Sequence, residues 1–163
     1  MSKRIVVLGL GNILMKDEGI GVHAIRELEK LQLPENVELI DGGTAGLAAF
    51  ASLKDVEKLI IIDALKSGRT PGTIYRFHPK DLFNNSSAHA LSLHQIGVLE
   101  TIAILEKTGN LPKGIVIVGI EPKEIAWGTE LTNDIRDKMP DIIDIVLKEL
   151  NLSVGAASWR RTY

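Results

Sequence analysis

Chemistry in this chain has to come from oxygen and imidazole, because the sequence contains no cysteine. That absence removes disulfides, thiolate zinc sites, iron-sulfur clusters and a cysteine nucleophile together. The oxygen donors of interest are Asp17, Glu18, Asp41, Asp63 and Glu121, each at or shortly after the end of a short apolar run. Like charges gathered in one crevice repel, so such a set requires a cation or basic groups from a partner, and a metal ion is the economical answer. Asp63 directly follows Ile60-Ile61-Ile62, and a carboxylate at the mouth of so apolar a segment needs a partner to offset its desolvation. Asp17 reads as the N-cap of the helix that follows it, with Glu18 pointing from the first turn.

The imidazoles are His23, His78, His89 and His94. His23 shares a polar face with Glu27 and Lys30, His78 stands beside Pro79 at a strand end, and His89 lies in the polar stretch from Asn84; all three read as surface or structural positions. His94 differs. Ser92 and Gln95 form a capping box around it, so the ring sits in the first turn of a helix whose dipole disfavours the imidazolium. The ring is then neutral at about pH 7, as a metal requires. Two carboxylates and one imidazole on separate elements leave coordination positions open for a substrate.

The elements that position these groups follow from apolar periodicity. Ile5 to Leu10 is a continuous β-branched run of the kind buried on both faces of a sheet, and Val37 to Ile40, Leu59 to Ile62 and Ile115 to Val118 look alike. Thr73 to Phe77 alternates polar and apolar residues after the turn signal Thr70-Pro71-Gly72, which predicts an edge strand, with an antiparallel course open to it. Helical spacing marks Val22 to Leu31, Leu47 to Leu53 and Ile96 to Leu105, the last closed by Gly109. A final stripe from Ile135 to Leu150 passes through Pro140 and reads as one helix kinked there. Strands alternating with helices predict a three-layer α/β/α sandwich around a mostly parallel sheet, over a single domain, residues 1–150. Residues 151–163 lose periodicity and read as a loose tail. In such a sheet the ligand crevice lies beyond the carboxyl ends of the strands, where the segments GNILMKDEG, DGGTAG, DALKSG and EPKEIAWG bring the acids together. Trp127, in the last of these, either helps to choose a partner or plugs the core.

The balance of 19 Lys and Arg against 21 Asp and Glu gives a net charge of −2, and two Trp, two Tyr and three Phe offer little for stacking on bases. Neither nucleic acid nor an anionic membrane is an expected partner. No apolar stretch reaches the roughly 18 residues of a membrane span, and no signal-peptide pattern opens the chain, so a cytoplasmic location is expected. Neither a zinc helix of the HExxH type nor a serine elbow is present. Gly9-Leu10-Gly11 after a buried strand invites a dinucleotide reading, but Leu14 occupies the third glycine's place and is expected to obstruct close helix packing.

The string GLGNILMKDEGIG, followed in order by DGGTAG, LIIIDAL and SLHQIG, resembles the hydrogenase maturation endopeptidases, the nickel-dependent processing proteases of [NiFe] hydrogenase large subunits. The likeness covers residues 4–150. It implies a five-stranded twisted sheet in the phosphorylase/hydrolase-like arrangement. It also implies that Glu18, Asp63 and His94 are metal ligands and that Asp41, Gly42, Gly43 and Thr44 belong to a loop used in substrate recognition and cleavage, with Asp41 a candidate to position water. The implied reaction removes a short C-terminal extension from the large-subunit precursor after nickel insertion. The nickel arrives with the substrate, no permanently bound cofactor is expected, and the enzyme is expected to work as a monomer of aspartic or metal-dependent type. Two other readings are a nickel-sensing checkpoint that binds the precursor without cleaving it, and a Rossmann-like nucleotide-using enzyme.

Overall fold

The β-branched runs become strands and the amphipathic stretches between them become helices. The computed structural model of the protein describes residues 2–44, 46–51, 53–84 and 93–153. The strands are β1 (Ile5–Leu10), β2 (Val37–Gly43), β3 (Lys58–Ala64), β4 (Ile74–Phe77) and β5 (Gly114–Ile120), in spatial order β2-β1-β3-β5-β4. β1, β2, β3 and β5 are parallel, and β4 closes the far edge antiparallel to β5. A 3-10 turn (Lys16–Gly19) leads into α1 (Ile20–Leu28); α2 (Gly46–Phe50), α3 (Pro79–Asn84), α4 (Leu93–Thr108), α5 (Asn133–Arg136) and α6 (Met139–Glu149) follow.

The central strands are buried on both faces, so successive side chains feed two separate cores. Val7, Ile60, Ile62, Val116 and Val118 pack on one side with Ile20, Ile25 and Leu28 of α1 and Ile142 and Val146 of α6. Val6, Leu8, Ile61 and Ile117 pack on the other with Phe50 of α2 and Ile102 of α4. The result is the expected three-layer sandwich.

Three local expectations change. Val37 to Ile40 looked like a strand covered on both faces, yet β2 is an edge strand whose side chains are mostly half-buried or exposed, and it continues through Asp41, Gly42 and Gly43. The stripe from Ile135 is two helices. Pro140 has no amide to donate and its ring would strike the carbonyl four residues back, at Arg136, so α5 ends there and the proline sits in the first turn of α6. α3 was not anticipated, although Pro79 opens it and the Asp81 carboxylate reaches back to accept from the His78 amide at 2.9 Å, half of a capping box. The His78 ring bonds the Ile115 carbonyl at 3.0 Å, a structural position. The Ser92 cap, His89 and the tail from residue 154 onward lie outside the described residues.

Candidate active site

The acidic loops lie at the carboxyl ends of the parallel strands, and the glycines decide how closely they meet. Gly11, at φ +126°, brings the turn after β1 back upon itself: a Cβ there would stand 1.9 Å from the Glu18 carbonyl oxygen. Gly21 carries α1 onto the sheet, where its missing Cβ leaves room for the carbonyls of Ile62 and Leu10, 2.2 and 2.3 Å from where it would lie. Gly9 faces Gly21 in the same way, its missing Cβ lying 2.2 Å from the Gly21 carbonyl oxygen. The Glu18 backbone is therefore fixed against the end of β1, while Gly21, three residues on, touches the residue that precedes Asp63. Glu18, in the turn that follows β1, and Asp63, near the end of β3, therefore lie at the carboxyl side of neighbouring strands.

Leu14, read from sequence as an obstruction to helix packing, is half exposed and takes no part in that contact. Amides of the turn that a nucleotide phosphate could draw on are already used: Gly11 donates to the Gly43 carbonyl at 3.0 Å and Leu14 to the Asn12 side chain at 2.9 Å.

Asp17 does not cap a helix. It is 0% exposed, and its carboxylate accepts from the amides of Lys123 (3.0 Å), Glu124 (2.9 Å) and Thr132 (2.8 Å) and from the Thr132 hydroxyl. It fastens the loop after β5 to the turn that carries Glu18. Glu121 is likewise occupied, accepting from Ser67, Gly68 and Tyr75. Burial alone would raise the Glu121 carboxyl, but the Ser67 amide and hydroxyl, the Tyr75 hydroxyl and the Gly68 amide hold it below the usual glutamate value. Two of the five acids are thus structural.

Three acids remain. Asp63 is buried at the end of β3 and accepts from its neighbour's amide, Ala64, at 2.8 Å. Glu18 is half-buried in the 3-10 turn, which packs on β3. Asp41 is exposed at the end of β2, opposite Gly9 in register, and its side chain accepts from the Gly43 amide at 3.0 Å. Gly43 adopts φ +46°, and Thr44 follows in an exposed turn. Gly42 is buried, and a Cβ on it would come within 2.8 Å of Leu8 and Leu10, so its glycine serves core packing as well as the loop. His94 stands in the first turn of α4, with its side chain outside the described set. Among the described residues, no three His, Cys, Asp or Glu side chains gather closely enough to hold a metal ion.

His23, expected at the surface, is half-buried against a cavity of about 540 Å³ between α1 and α6, and burial lowers its pKa. Trp127, 80% exposed, plugs no core. No helix of the described residues is long and apolar enough to cross a membrane.

The profile of a family described as hydrogenase maturation protease matches residues 22–149. A hydrogenase expression/formation protein, HupD, of Bradyrhizobium diazoefficiens is 38% identical over 162 residues, covering 96% of this chain and 84% of that protein. The hydrogenase 2 maturation protease of Escherichia coli is 36% identical, with 92% of each chain covered. The structure of the hydrogenase maturating endopeptidase HybD from E. coli superposes with a TM-score of 0.81 at 34% identity, over 96% of this chain and 98% of that one.

Proposed function

The chain belongs to the hydrogenase maturation protease family, and from that premise we propose that Glu18, Asp63 and His94 grip the nickel of a large-subunit precursor while one peptide bond of its C-terminal extension is cut. The observation that supports this reading is the placement of the Glu18 turn, which the Gly11 contact holds at the end of β1 and which packs on β3, the strand that ends in the buried carboxylate of Asp63. Carboxylates and a neutral imidazole form a donor set that suits a divalent nickel ion and leaves positions for the substrate's own ligands. The metal is part of the substrate, so the enzyme recognises a precursor by whether it has been loaded.

Hydrolysis adds water across the scissile amide: hydroxyl to the carbonyl carbon, a proton to the departing nitrogen. Asp41, exposed at the strand end on the other side of β1, is the group to hold and deprotonate that water. The glycines behind it let substrate backbone approach closely. Cleavage by a monomer in the cytoplasm completes the reading.

Mass spectrometry of a purified nickel-loaded precursor, with and without this protein, tests it. Loss of the extension is expected with the wild-type chain and absent with Glu18→Gln, Asp63→Asn or His94→Ala. Survival of processing in all three variants removes the metal triad. An unchanged mass with the wild-type chain makes the protein a checkpoint and no protease for that precursor.

A further inference from the structure

Only a few large apolar side chains of the described residues stand exposed: Leu14, Ile104, Ile125 and Trp127. Three of them lie on two loops at the carboxyl end of the sheet, and those loops are stitched together. The Gly128 amide donates to the Leu14 carbonyl and the Lys16 amide to the Gly128 carbonyl, each at 2.9 Å, in a short parallel bridge. The Asp17 amide donates to the Glu124 carbonyl at 3.2 Å, and the Asp17 carboxylate takes the amides of residues 123, 124 and 132. Lys16 pairs with Glu124 at 2.7 Å.

We propose that Leu14, Ile125 and Trp127 form a preorganised apolar platform that docks an apolar patch of the hydrogenase large-subunit precursor next to its cleavage site, with Trp127 as the anchor. The proposal rests on the reading of Glu18 given above, because the platform's first residue, Leu14, stands four residues before Glu18 in the same loop between β1 and α1. Continuity with that site identifies the occupant. The character of the contact follows from the charges: Lys16 is matched by Glu124, and Lys123 by Asp134 at 3.0 Å, so the loops offer a partner apolar area rather than a field of one sign. An exposed tryptophan on a rigid loop is an economical binding anchor, since little freedom remains to be lost on association. Large apolar side chains exposed together on two bridged loops suit a protein-binding surface.

The measurement is steady-state cleavage of nickel-loaded precursor, with equilibrium binding of the uncleaved precursor measured alongside. Trp127→Ala is expected to raise KM and Kd roughly tenfold or more, the usual loss for a truncated aromatic anchor, and to change kcat less than about twofold. Ile104→Ser, on α4, removes the remaining exposed apolar side chain as a control and should leave KM, Kd and kcat alone. Circular dichroism should show both variants folded as the wild type. An unchanged KM and Kd in Trp127→Ala overturns the platform, as does a fall confined to kcat. Self-association of the wild type that Trp127→Ala abolishes, with precursor binding intact, overturns it in favour of a second copy as occupant. If the wild type cleaves nothing, the protease reading falls by itself, and the Kd comparison still decides the platform.

Discussion

Replacing Asp17 should damage the protein in proportion to the amide donors left without an acceptor, and asparagine should not rescue it. One carboxylate oxygen accepts the amides of Lys123 and Glu124, and the other accepts that of Thr132. Whichever way an asparagine is turned, its NH2 group faces at least one amide that also donates. The better orientation strands one buried donor, at about 1–3 kcal/mol, and also loses the charge assistance to the others. Asp17→Asn is therefore expected to cost about 2–3 kcal/mol. Asp17→Ala strands three amides at once; water admitted to the cavity offsets part of that, leaving about 3–5 kcal/mol out of a total stability of about 5–15 kcal/mol. At roughly 2–4 °C per kcal/mol for a chain of this size, Tm falls by about 5–10 °C for the asparagine variant and further for alanine. Urea unfolding followed by circular dichroism measures the loss, and hydrogen exchange at residues 123, 124 and 132 locates it. An asparagine variant within about 1 kcal/mol of the wild type, or undiminished protection of those amides in Asp17→Ala, would show that the carboxylate does not hold the loop.

Gly21→Ala should cost more than about 3 kcal/mol, because a Cβ would meet backbone carbonyls that have no rotamer to yield; a wild-type urea midpoint refutes this. Glu121 is held below the ordinary glutamate pKa in the folded state, so its contribution to stability is present above about pH 4.3 and lost as pH falls through the lower folded value. Glu121→Gln should then flatten the acid limb of the stability profile, and matching limbs in the two proteins would contradict it. His94→Ala should abolish precursor processing while His89→Ala remains active, with casein untouched by either; loss of processing in both variants would remove the distinction drawn from the helix turn.

How legible the molecule was depended on how local each cause is. The four parallel strands were readable because a sheet covered on both faces needs continuous β-branched runs, and β4 because alternation marks a half-covered edge. That β2 is also an edge was not readable, since Val37 to Ile40 uses the same residue types and only the strand order exposes it. Glu18, Asp63 and Asp41 could be placed at strand ends from their position after apolar runs. Asp17 could not be distinguished from a helix cap, because its partners lie 106 to 115 residues away. Gly21 was missed for a similar reason: the fingerprint draws attention to closely spaced glycines, whereas Gly9 and Gly21 meet only when α1 crosses β1.

The remoteness of those partners also has a consequence in time. Asp17 and Glu18 are made well before the amides that complete the Asp17 cluster, which belong to a segment more than a hundred residues later. At cellular elongation rates the Glu18 turn waits roughly 5–20 s for the loop that braces it. Contacts of such long sequence separation form late, because a large loop must close before they are gained. A nascent chain therefore carries the Glu18 turn without the strap that braces it until synthesis has passed Thr132.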